Sequence, residues 1–194
     1  MAKIVPTILA ETPDIYQSRL ELVTRTADRV HVDIVDGKFA TTKTIGLSQV
    51  YVPDGVQLDL HLMVENPADH LDNALALKPN LIIVHAEANG DHAQCAADVQ
   101  SMGVKAGIAY LKDSNPDELV TKFDHALVFT GKLGHYGGQL YQPSLAKVLE
   151  IKELKPGIEV AVDGGVNSRN MQDVIDAGAD VLDAGMGYEG MINS

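Results

Sequence analysis

A chain of 194 residues, 45% of them hydrophobic, is long enough to bury one sizeable core and too apolar to be disordered. Its net charge of −12 excludes the basic footprint of a nucleic-acid binder, so any anionic ligand must be held by local donors against the overall field. One cysteine, Cys95, excludes an internal disulfide; with no signal-peptide pattern and no apolar run of transmembrane length, a cytoplasmic protein without a membrane partner is expected.

In chain order, the first strand is expected over Lys3–Leu9, and Thr12-Pro13-Asp14 then opens a helix with proline at its first position. The second strand, Arg29–Ile34, alternates Val30, Val32 and Ile34 with His31 and Asp33. A polar loop follows from Asp36 to Thr44, then a weak helix from Gly46 to Val50 that runs into Pro53. The third strand, Gln57–Met63, sets three leucines against Asp59, His61 and Met63. Asn66-Pro67 opens the next helix, Leu81–His85 is the fourth strand, and Cys95 lies on a packed helix face. The fifth strand is Lys105–Tyr110, Asn115-Pro116 starts a helix, and Ala126–Thr130 is the sixth strand. Gln142-Pro143 opens another helix before the seventh strand, Glu159–Val162, which leads into Asp163. A helix over Met171–Ala177 stops at Gly178, and Val181–Ala184 is the eighth strand. Only Gly185 to Ser194 remain, so the final βα unit is expected to be short or truncated.

Eight strands alternating with helices admit an open doubly wound sheet or a closed (β/α)₈ TIM barrel. In an open sheet helices cover both faces, and central strands read as unbroken apolar runs. In a barrel one face looks into the lumen, and polar residues near the carboxyl ends of the strands gather at its mouth. His31, Asp33, His61 and Asp163 stand at strand ends on the face that alternation turns inward, which selects the barrel. No linker, repeat or low-complexity tract interrupts the chain, so a single barrel domain over residues 1–194 is expected.

Two imidazoles and two carboxylates converging on one barrel mouth suit one divalent metal ion: zinc, iron, manganese or cobalt. A hydrogen-bonded polar cluster is the better reading for any one of the four alone, but four at one depth on separate strands favour the metal. Opposed aspartates beside a cation that polarises a ketone could remove a proton from one face of a carbon and return one on the other, through an enediolate. Asp33 and Asp163 are the candidates for that pair. Glycines follow the last three strands at Gly137-Gly138, Gly164-Gly165 and Gly185-Met186-Gly187, where backbone N–H groups can hold a phosphate without cationic side chains. His85 reads as a satisfied polar lumen residue, and His135 is the one remaining histidine placed near the mouth.

These residues resemble the ribulose-phosphate 3-epimerase family over nearly the whole chain. The similarity runs through Pro6-Thr7-Ile8-Leu9, His31-Val32-Asp33-Ile34-Val35-Asp36-Gly37, Leu60-His61-Leu62-Met63-Val64, Val84-His85-Ala86-Glu87-Ala88, Gly137-Gly138-Gln139 and Val162-Asp163-Gly164-Gly165-Val166. The resemblance implies a (β/α)₈ barrel that interconverts ribulose 5-phosphate and xylulose 5-phosphate. It implies that His31, Asp33, His61 and Asp163 bind the metal and that Asp33 and Asp163 form the acid and base pair. It assigns the small-molecule sugar phosphate to Thr7, His61 and Met63 at strand ends, and to Gly137, Gly138, Gln139, Gly164, Gly165, Gly185 and Met186 in the loops.

Departures from the family pattern concern the grip on the substrate. Thr7 replaces a serine, Val35 a methionine, and Met186 the serine of a Gly-Ser pair. The lid segment from Thr130 to Gln139 lacks the family's Asn-Pro-Gly and carries Lys132 and His135. Asp183 replaces an apolar residue, and as an inward anion it would oppose phosphate. The alternatives are epimerisation of another keto-sugar phosphate, such as a hexulose 6-phosphate, and a non-catalytic sugar-phosphate-binding homologue. A missing last helix would expose apolar barrel surface that a second copy could cover in a homo-oligomer.

Overall fold

Alternation along the strands decides the architecture. In the computed structural model, which describes residues 2–193, odd-numbered strand residues face a lumen and even-numbered ones face helices. Among the described residues, eight parallel strands close in sequence order: β1 (Lys3–Leu9), β2 (Arg29–Val35), β3 (Gln57–Met63), β4 (Leu81–His85), β5 (Lys105–Tyr110), β6 (His125–Phe129), β7 (Glu159–Asp163) and β8 (Val181–Ala184). β8 pairs back onto β1, with Val5 opposite Asp183. This is the TIM barrel that the pattern of polar strand faces called for.

Among the described residues, six α-helices lie between and after the strands: α1 (Pro13–Val23), α2 (Leu71–Ala76), α3 (His92–Ser101), α4 (Ala146–Leu154), α5 (Met171–Asp176) and α6 (Tyr188–Ile192). Thr12 caps α1, its hydroxyl accepting the Ile15 N–H at 3.4 Å. Gly178 ends the α5 segment in the left-handed region at φ +95°. Asn66-Pro67 and Gln142-Pro143 open 3₁₀ turns that lead into α2 and α4. Asn115-Pro116 does not open a helix. The cap falls at Asp117, whose carboxylate accepts the Leu119 N–H at 3.0 Å, and only a 3₁₀ stretch, Glu118–Lys122, follows. β6 begins one residue earlier than expected because His125 pairs in register with both Gly107 and Glu159.

Even-numbered residues such as Val30, Val32, Leu60 and Val162 pack under Leu20, Val99, Val148 and Val174 of the helices and form the outer core. Val5, Leu81, Ile83, Ala109, Leu127, Ala161 and Val181 fill the lumen beneath the mouth. Toward the amino-terminal end of the strands the filling turns ionic. Arg29 Nε lies 2.6 Å from Asp59 Oδ2, and its other nitrogens reach both oxygens of Glu159 at 3.1–3.2 Å. Asn80 donates to Asp59 at 2.7 Å, and His125 Nδ1 lies 3.0 Å from Glu159. The barrel therefore has a filled floor, and its cavity opens at the carboxyl end of the strands.

Cys95 is buried on α3, and burial pushes its thiol up to about 11. The thiol is then protonated at pH 8 and shielded from reagents. We expect no reaction with a thiol-specific chromogenic disulfide in the native protein and one equivalent after denaturation. Fast stoichiometric labelling of the folded protein would contradict this placement.

Candidate active site

Three strand ends assemble the centre. β2 supplies His31 and Asp33, β3 supplies His61 directly across from Asp33 in the ladder, and β7 supplies Asp163. One ligand atom from each of the four lies within 4.8 Å of all the others. All four are buried. His61 Nδ1 lies 2.9 Å from Asp33 Oδ1, and His31 Nε2 lies 3.3 Å from the same oxygen.

The two carboxyls are driven apart. Burial raises Asp33, but His31 and His61 beside it overcome that and hold it at about 2. Burial and the facing charge of Asp33 push Asp163 well above the usual carboxylate range. Burial likewise lowers His61 to about 4 against the pull of Asp33, whereas Asp183 and Asp33 lift His31 well above its ordinary value in spite of burial. The two carboxyls that share this pocket thus differ in how readily each holds a proton, the asymmetry that a base and an acid require.

A relay stands behind His61. Its Nε2 lies 2.8 Å from His85 Nε2, and His85 Nδ1 lies 3.3 Å from Glu87 Oε2. Burial raises Glu87, but His85, Ser114 and the Leu111 N–H (2.9 Å) overcome it and hold the carboxyl at about 2. An ionised Glu87 only accepts, so His85 donates to it through Nδ1. His85 Nε2, 2.8 Å from His61 Nε2, is then placed to accept from His61 Nε2–H. That leaves the His61 Nδ1 lone pair aimed at the Asp33 carboxylate 2.9 Å away. Two acceptors facing each other call for a cation between them.

The donor set fits such a cation. Both buried ring nitrogens of His31 lack a hydrogen-bond partner, and nitrogen with carboxylate oxygen suits a borderline divalent ion. His31, Asp33, His61 and Asp163 are the residues that would hold it.

Above the centre lies a cavity of about 270 Å³. Thr7, Met63, Gly137, Gly138, Gly164, Gly165, Gly185 and Met186 line it, together with Asp33 and Asp163. His61 lies below its wall, fully buried, and Gln139 is exposed outside the lining. The Gln139 backbone is pressed against Gly165, where an added Cβ would meet its carbonyl carbon at 2.6 Å, so this contact is made by main chain. The Thr7 hydroxyl is buried without a partner, free for a ligand oxygen. Met186 is 77% exposed at the rim.

Asp183 does point inward, but not into the cavity that the glycine loops line. It is buried on β8 with Oδ2 3.3 Å from His31 Nδ1 and lies outside the cavity lining. The expectation that it would oppose phosphate rested on its facing the cavity, and its carboxylate is instead turned to His31. Sequence reasoning passed over Tyr136 and Arg169. The Tyr136 hydroxyl donates to the Thr7 carbonyl and accepts the Leu9 N–H at 3.3 Å, while the Arg19 guanidinium stands 4.1 Å over its ring. This fastens the lid segment to the end of β1. Arg169, in the polar loop after Gly164-Gly165, is the one lysine or arginine among the described residues that line the cavity.

Comparison with known proteins agrees with this geometry. Residues 3–188 match the ribulose-phosphate 3 epimerase family. The chain is 32% identical to a ribulose-phosphate 3-epimerase of Schizosaccharomyces pombe, over 95% of this chain and 85% of that one. It is 30% identical to one of Bacillus subtilis, over 98% and 93%. Among solved structures, an N-acetylmannosamine-6-phosphate 2-epimerase from Clostridium perfringens superposes with a TM-score of 0.68 at 10% identity, over 96% of this chain and 87% of that one. That last likeness is one of fold.

Proposed function

The chain belongs to the ribulose-phosphate 3-epimerase family, and from that premise we propose that it interconverts D-ribulose 5-phosphate and D-xylulose 5-phosphate by two-base proton transfer. The observation that carries this reading is the pair of buried carboxyls, Asp33 from β2 and Asp163 from β7, that line one cavity within 4.8 Å of each other and of the two imidazoles. Asp33 takes the proton from the carbon beside the keto group, and the electron pair moves into the enediolate. Asp163 gives a proton to the same carbon from the opposite face, and the carbon is inverted. In the reverse direction the two exchange roles.

His31, Asp33, His61 and Asp163 would hold a zinc, iron, manganese or cobalt ion. When bound, such an ion polarises the carbonyl and its neighbouring hydroxyl and so lowers the cost of forming the enediolate. The Thr7 hydroxyl is placed for a substrate oxygen, and Met63 covers the reacting carbons with an apolar face. Backbone N–H groups around Gly138, Gly165 and Gly185 would take the phosphate, with Arg169 as a cationic partner that offsets the overall negative charge.

The test is ribulose 5-phosphate in heavy water, with and without a chelator. We expect xylulose 5-phosphate carrying one solvent deuterium at the inverted carbon. Stripping divalent metal should stop the reaction, and restoring it should recover the rate. Absence of both product and exchange with every one of the four metals would sink the epimerase reading.

A further inference from the structure

We propose that Asp183 is a positioning residue for the metal centre, holding His31 from behind so that its Nε2 faces the ligand cluster; this rests on the metal reading above. The two imidazoles of the centre are both backed. His61 is gripped through Nε2 by His85 and presents Nδ1. His31 is inverted relative to it: Nε2 faces Asp33, and Nδ1 faces Asp183 Oδ2, each at 3.3 Å. Asp183 itself is 2% exposed, opposite Asp163 in the β7–β8 ladder and opposite the apolar Val5 on the other side.

A carboxylate in that place has little reason to be there except its neighbour. Buried charge is costly unless paired, and the surrounding lumen is otherwise filled by Val5, Ala161 and Val181. The present separation is longer than a good N–H···O bond by roughly half an ångström. A ligated His31, with Nε2 drawn to the ion, must keep its one proton on Nδ1, facing Asp183. The contact then becomes a charge-assisted hydrogen bond that fixes tautomer and ring plane and makes Nε2 the better donor.

Asp183→Val and Asp183→Asn test this against the parent. Zinc affinity of the metal-free proteins is measured by competition with a chromophoric chelator, and the His31 tautomer by ¹⁵N chemical shifts of the zinc-loaded forms. Loss of an outer-shell partner typically weakens metal binding by about 10–100-fold, which is expected for Asp183→Val. Asp183→Asn keeps an acceptor oxygen without the charge and should fall between. A Val variant with the parent's affinity and the same His31 tautomer would overturn the proposal while leaving the metal reading intact. Failure of the parent itself to bind zinc, manganese, cobalt or iron would overturn both. If Asp183→Val does not fold, parent-like affinity and tautomer in Asp183→Asn are read as the overturning result for the charge.

Discussion

Replacing Asp33 with asparagine should cut epimerisation by about 10²–10⁴-fold, the usual cost of losing a positioned general base, and more if the metal is lost as well. Asp33 is both a candidate ligand and the carboxyl held lowest in the centre, so metal content must be measured beside the rate. Asp163→Asn should be equally inactive for net inversion. The discriminating signal is exchange of the substrate proton with solvent. In a two-base scheme, a variant that keeps one carboxyl and its metal can still exchange from one face without inverting the carbon. An Asp33→Asn protein that retained metal and turned over at the parent rate would remove Asp33 from the chemistry and leave its strand a merely structural one.

The second large effect is on stability and lies at the other end of the barrel. Arg29→Ala should destabilise the fold by about 3–5 kcal/mol, because it strands a buried partner rather than deleting a surface pair. Arg29 and Asp59 are 7% and 3% exposed at the side chain, and Glu159 also loses its two-pronged contact. Burial already outweighs the pull of Arg29 and Asn80 and keeps Asp59 above its ordinary value. Without Arg29 that rise grows, and the folded variant binds a proton more readily than the unfolded chain. Its deficit should therefore be full at neutral and higher pH and should shrink as pH falls toward the folded value of Asp59. Urea midpoints at pH 5 and 8, with unchanged slopes, would show this. A loss below about 1 kcal/mol at pH 8 would mean that water or a local shift replaces Arg29. The double change Arg29→Met with Asp59→Leu should regain most of the loss.

The barrel was readable because its signal is local. Period-two alternation in β2 and β3 shows which side chains share a face, and the position of His31, Asp33 and His61 near strand ends places them at one rim. What escaped depends on approaches across the lumen that no spacing encodes. Asp183 meets His31 because β8 closes onto β1 and brings the far edge of the sheet beside β2. Arg29 finds Glu159 across 130 positions of chain. His85 was legible as a satisfied lumen residue, but its partners, His61 on one side and Glu87 on the other, were not. The Asn115-Pro116 misreading is of another kind: proline marks a place where a helix can begin, and here the capping side chain one residue on took precedence.

Gly164 and Gly165 carry a consequence for the lid. An L side chain at Gly164 would stand 2.1 Å from the Gly131 nitrogen, and one at Gly165 would stand 2.4 Å from the Leu140 nitrogen. Both also sit in the left-handed region, at φ +105° and +77°. The two roots of the lid are thus packed against the β7 loop main chain to main chain, and a side chain at either glycine would have to push backbone apart. Between them Lys132 is exposed and His135 is exposed at the cavity lining, while Leu133 packs on Val35, Ala40 and Met63. Side chains at Lys132 and His135 can be replaced without disturbing how the loop is moored. Changes in the span therefore alter what the cavity meets at its rim while its two moorings stay where Gly164 and Gly165 hold them.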